Sequence, residues 1–98
     1  MSAREYQRVK EVLEEMMNHT ITHYAIEISA ATANRDASEF QSPKWWHFNL
    51  LATDYFTMFT EIVDTIYPQN ERKMNDFIQR LDDECATHDY RNGVINGG

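Results

Sequence analysis

Four groups of residues have types and spacings that could do chemistry. His19 and His23 are four apart, and Glu15 and Glu27 continue the row at the same step. On a continuous helix all four would share a face, and a His-x-x-x-His pair with a carboxylate is a ligand set for a divalent metal. The zincin pattern H-E-x-x-H is absent, since Thr20 and Ile21 follow His19. The same row is also what a solvent-facing stripe looks like, and that reading is preferred. Asp54 and Glu61 are seven apart, with Asp64 nearby. Two carboxylates buried together could divide acid and base roles. Nothing around them supplies an oxyanion donor or a substrate anchor, so they are read as the wet side of a helix. Cys85 with His88 three residues on resembles a nucleophile and its base. It stands among Asp82, Asp83 and Glu84, where thiolate formation is disfavoured. No P-loop, G-x-S-x-G or Cys₂His₂ spacing occurs. The sequence therefore predicts no catalytic, metal or cofactor residue.

Two further features suit recognition. Trp45 and Trp46 are adjacent, so on a helix they point about 100° apart; either one is core and the other faces outward, or both tuck against the Phe40 loop. An exposed Trp is a frequent energetic anchor of protein interfaces. Tyr67-Pro68 is an X-Pro bond at a corner, and such bonds reach cis fractions of about 10–30% in flexible chains. A slow isomer switch there could gate binding; a fixed trans helix stop is the simpler alternative. The predicted partner-binding residues are Trp45, Trp46, Tyr67 and Pro68.

The elements that must position these groups are helices. Ser42–Tyr67 opens with Ser42 as N-cap and Pro43 at the first helical position, and closes at Pro68. Phe48, Leu51, Ala52, Tyr55, Phe59, Ile62, Val63 and Ile66 recur at three- and four-residue steps. Trp45, Trp46, Leu50, Phe56 and Met58 widen that face. A helix so apolar is expected to be central, with the rest of the chain packed around it.

Ahead of it, Ser2-Ala3-Arg4-Glu5 is a capping-box pattern. Tyr6, Val9, Leu13, Met16, Thr20, Tyr24, Ile28 and Ala31 then follow at helical spacing. The helix from Ser2 to about Ala33 would be roughly 47 Å long. A bend or break is expected in Asn18–Thr22, where helix propensity is mediocre; otherwise one end must project past the body. In the connection Ala33–Gln41, Asp36–Glu39 predicts one short capped turn, and Phe40 is expected to anchor the loop to the core. Asn70 is expected to cap a third helix running to about Thr87, with Met74, Phe77, Ile78, Leu81 and Cys85 packing on the central one. Asp89–Gly98 holds all three glycines and is expected to be a mobile tail.

The fold class is therefore all-α: a small three-helix bundle around a central hydrophobic helix, or four helices if the first breaks. One domain spans 1–88. A chain of 98 residues buries about 60–65% of its unfolded surface. No run of 18 apolar residues suggests a membrane span, the N-terminus lacks a secretory h-region, and the single cysteine fits a reducing compartment. The net charge of −7 argues against nucleic-acid binding by phosphate neutralisation. Solubility is the preferred reading of the excess acid, and a protein that meets a basic surface is the sharper one.

The start Met1-Ser2-Ala3-Arg4-Glu5-Tyr6, the corner Thr65-Ile66-Tyr67-Pro68-Gln69 and the Gly-rich end together resemble the small anti-RecBCD proteins of short-tailed lambdoid bacteriophages. Size and acidic helical character agree over the whole chain; no motif is involved. The resemblance implies a non-enzymatic protein of the bacterial host cytoplasm. It would bind the RecBCD helicase–nuclease through RecC and modulate it, protecting linear phage DNA and favouring recombination. It also implies interest from a host prolyl isomerase in Tyr67-Pro68. An acidic DNA mimic is ranked lower, because Arg4, Arg8, Arg72, Lys73 and Arg80 interrupt the acids. A self-associating helical homodimer is the remaining alternative, since the central helix carries more apolar surface than two cover helices bury.

Overall fold

A computed structural model describes residues 2–88 and contains three helices. They are α1 (Ala3–Asp36), α2 (Pro43–Ile66) and α3 (Glu71–Thr87). The ends lie where local chemistry puts them. Ser2 Oγ accepts from the backbone N–H of Glu5 at 3.2 Å, and Ser42 Oγ accepts from that of Trp45 at 3.2 Å. Asn70 Oδ1 accepts from Lys73 N–H at 3.0 Å. Each cap satisfies a donor that the first helical turn leaves open. Pro43 follows its cap directly, and Pro68 enforces the stop after Tyr67. The expected tail, Asp89–Gly98, lies outside the described residues.

The first helix does not break. It continues through Asn18–Thr22, and Thr20 Oγ1 donates back to the Met16 carbonyl at 2.8 Å, so its hydroxyl is satisfied within the helix. At about 51 Å for 34 residues it accounts for most of the 56 Å long axis. The radius of gyration, 16.3 Å, exceeds the roughly 13 Å of a compact chain this long. The excess is the N-terminal arm of α1, which projects beyond the other helices. Asp36 ends α1 instead of capping a new turn. Ala37 and Ser38 bond back to Ala33 and Arg35, and the chain reverses one step later, where Ser42 N–H bonds Glu39 O at 3.0 Å.

Chain direction alternates. Arg35 bonds Asn49 across the α1–α2 hairpin, so those helices are antiparallel. Arg80 bonds Asn18, and Ser29 bonds Cys85, so α3 runs parallel to α1. The core is Met17, Ile21 and Ala25 of α1, Phe59 and Val63 of α2, and Phe77 and Leu81 of α3. Tyr24, Ile28, Ile62, Ile66, Met74 and Cys85 pack at its margin.

Two expectations are corrected here. The helix on which both others pack is α1, not α2; α2 and α3 touch each other least. The buried row of α1 is Met17–Ile21–Ala25–Ser29, one residue round from the predicted stripe, of which only Ala31 is fully buried. Met17 is 1% exposed and Met16 54%. The cause is the small residues at the end of that row. Ala25 and Ser29 let α3 approach closely enough for Ser29 Oγ to donate to the Cys85 carbonyl at 3.3 Å, while Cys85 Sγ lies 3.9 Å from the Ala25 carbonyl. Hydrophobicity alone would have chosen Tyr24, whose ring instead meets Tyr55 and Phe59 of α2. In α3 the predicted stripe holds: Phe77 and Leu81 are buried, and Met74, Ile78 and Cys85 half-buried.

Candidate functional site

The predicted partner-binding residues form two separate patches at opposite ends of α2, about 31 Å apart along its axis. The first is at the α1–α2 turn. Trp45 is half-buried against Phe40 of the loop and Trp46 is 46% exposed, so one ring faces outward and neither belongs to the core. Trp45 meets Phe40 edge-on at 5.1 Å and Trp46 at 4.8 Å, the perpendicular arrangement that aromatic quadrupoles favour. Arg35 fixes this corner. Its guanidinium lies 5.9 Å from the Trp45 ring centroid, Nη1 donates to Asn49 Oδ1 at 3.0 Å, and Nε donates to Asp36 at 3.1 Å. Phe40 does not anchor the loop to the core: it is 71% exposed, and its ring packs on Trp45 of this outlying cluster. The hairpin end lies beyond the reach of α3, and Gln41, at φ 60°, turns the chain before it can fold inward. Leu50 is exposed one turn further along α2. The apolar excess of α2 is thus left at the surface.

The second patch is the α2–α3 corner. Tyr67 is half-buried: its ring stacks on Phe77 at 5.6 Å, and Lys73 Nζ lies 5.2 Å from its centroid. Pro68 is exposed, its peptide bond is trans, and Gln69 follows at φ 54°. Asp64 Oδ1 accepts the Gln69 N–H at 3.3 Å and holds this left-handed turn. An open cavity of about 640 Å³ lies beside it, lined by Asp64, Pro68, Gln69, Asn70, Glu71 and Met74.

The residues weighed for catalysis are not assembled. His19 and His23 are both exposed, and His23 lies edge-on to Tyr24 at 5.3 Å. Among the described residues, no three His, Cys, Asp or Glu side chains are grouped to hold a metal ion. Asp54, Glu61 and Asp64 are all exposed, as read from the sequence. His88 Nε2 pairs with Glu84 at 3.3 Å rather than with Cys85. Burial, with Asp82 and Glu84 adding and the Ser29 hydroxyl opposing, pushes the Cys85 thiol above its ordinary value. The raised value favours the protonated native state. Its contribution to stability is therefore complete below the pKa of the unfolded thiol and is lost as pH rises through the folded value. We expect thiol reagents at mildly alkaline pH to modify Cys85 more slowly in the native protein than in urea. Equal rates would show that Cys85 is not packed against α1.

Sequence reasoning missed the cross-helix polar contacts. Glu27 beside Tyr55 raises that phenol's pKa, chiefly by charge, with burial and hydrogen bonding adding. This pair, like Arg35 with Asn49, carries no local signature, because the partners are far apart in sequence. The exposure of Tyr6, Val9, Val12 and Met16 on the arm was also missed. The row Tyr6, Val9, Leu13, Met16 and Thr20 alternates three- and four-residue steps, unlike the four-residue steps of the core row, and that was a readable signal.

The chain is an all-α, three-helix protein. Comparisons with protein-family models, with curated proteins and with solved structures find no match to it. No helix among the described residues is long and apolar enough to cross a membrane.

Proposed function

We propose that this chain is a non-enzymatic phage protein that binds host RecBCD, through RecC, and alters how the enzyme handles DNA ends. Linear phage DNA would survive and phage recombination would be favoured, in the cytoplasm of the bacterial host. The partner's identity comes from the resemblance in residues 1–6, 65–69 and the Gly-rich end. The observation that carries the binding role is the pair of exposed aromatics Phe40 and Trp46, packed on the half-buried Trp45. It is held rigidly by Arg35 at a point where the core gives it no cover. Large rigid aromatics at an uncovered site are what interface anchors are made of. A host prolyl isomerase acting on the exposed Tyr67-Pro68 corner is a second partner in this reading. Doubled NMR signals around Tyr67–Asn70 that exchange faster on adding isomerase would support it; one sharp set, unchanged, would remove it.

The experiment is direct binding of the purified chain to purified RecBCD and to isolated RecC across a salt series. Trp46→Ala is expected to weaken binding at least about 30-fold, the loss of an anchor worth roughly 2 kcal/mol, without changing the melting temperature. An interface built on aromatics should weaken only slightly with salt, whereas a DNA mimic should lose affinity steeply. No binding to either protein overturns the partner assignment.

A further inference from the structure

We propose that the projecting arm of α1 is a dimerisation helix, occupied by the same arm of a second copy in parallel, two-stranded register. Tyr6, Val9, Leu13, Met16 and Thr20 advance by steps of three, four, three and four. That is a period of 3.5, the spacing of a coiled-coil seam and not of a helix packed within a globular core. None of these five is buried, and Val12 beside them is exposed as well. The residues that α1 gives to its own core are a different row, beginning at Met17.

Charge chooses the occupant. With Tyr6 and Leu13 at the first core position of the heptad and Val9 and Met16 at the fourth, Glu5 and Lys10 flank the seam on opposite sides. In a parallel pair the residue at the first of these flanks faces the one five positions later on the partner. Glu5 of each copy then meets Lys10 of the other, twice by symmetry, so the arm is complementary to itself. The positions turned away from the seam are Gln7, Arg8, Glu11, Glu14 and Glu15, all polar and all exposed. The apolar surface also does not stop at Thr20. One turn on, Tyr24 lines an open groove between α1 and α2 with Met58, Ile62 and Ile66.

The seam is only about two heptads long, so the dimer should be weak and concentration-dependent. Sedimentation equilibrium of the full chain, from micromolar to millimolar, is the test. The expected result is a mass rising from 11.6 kDa towards twice that value. Leu13→Glu should weaken association at least about 30-fold while leaving the far-ultraviolet helix signal intact, because Leu13 lies outside the core. Glu5→Lys should weaken it too, and Glu5→Lys with Lys10→Glu should restore it. In a Cys85→Ser background, Val9→Cys should form an intermolecular disulfide under copper-catalysed air oxidation, since parallel register brings the two positions together. A monomer mass throughout, a dimer indifferent to Leu13→Glu, or no disulfide from Val9→Cys would each overturn the proposal. The purified chain alone suffices, so the outcome is independent of binding to RecBCD.

Discussion

Phe59→Ala is expected to cost about 3–5 kcal/mol of unfolding free energy, the loss found when a fully buried phenylalanine is truncated. Phe59 has no exposed surface and stands where all three helices meet, with Tyr24 edge-on at 5.9 Å. A chain of 98 residues has roughly 5–15 kcal/mol in total. An arm that buries little places this protein towards the lower figure, so the substitution should remove much of the stability. Phe56→Ala is the control. Phe56 lies three residues earlier on the same helix but is exposed, and its loss should be about 1 kcal/mol or less. Urea unfolding followed by circular dichroism separates the two. Equal losses would mean that α2 packs through a different face.

The second large effect concerns neighbours on α1. Met17→Asp should leave the protein largely unfolded at room temperature. It places a carboxylate among Ile21 and the apolar core residues of α2 and α3, a change in the class that exceeds about 4 kcal/mol. Met16→Asp, one residue away on the exposed side, should shift stability by about 0.5 kcal/mol or less in dilute solution, where arms are unpaired. Thermal melts at low micromolar concentration decide the matter. If Met16→Asp were the damaging change, the row Tyr6–Met16–Tyr24 would be the core face after all.

That pair of residues marks the limit of sequence reading on this chain. Periodicity found the α1 helix and its apolar content but misplaced its buried face by one position. The face was decided by Ala25 and Ser29, whose importance is their small size, and size matters only once another helix is there to approach. Adjacent helical residues must diverge, so one of the aromatic pair was bound to face outward; that the other packs on Phe40 and not in the core needed the fold. Phe40 was not, because an anchor needs a core within reach, and the hairpin turn lies beyond it. The carboxylates Asp54, Glu61 and Asp64 were read as the wet side of α2, and they are exposed, because their spacing places them on a face the apolar residues avoid.

The sequence by itself determined three helices and nearly all of their ends. Ser2, Ser42 and Asn70 cap them, Pro43 and Pro68 bracket the second, and each of these effects acts within one turn of chain. It also determined the net charge and the absence of a catalytic motif. Only the tertiary structure decided that α1 is the common support, which turn of α2 is buried, and which apolar residues remain outside. The reason is a mismatch of lengths. At about 1.5 Å per residue the helices measure roughly 51, 36 and 26 Å, so α3 cannot cover all of α2 and neither can cover the arm of α1. Which apolar surface is left over depends on where the helices meet, and that is a property of the assembled molecule.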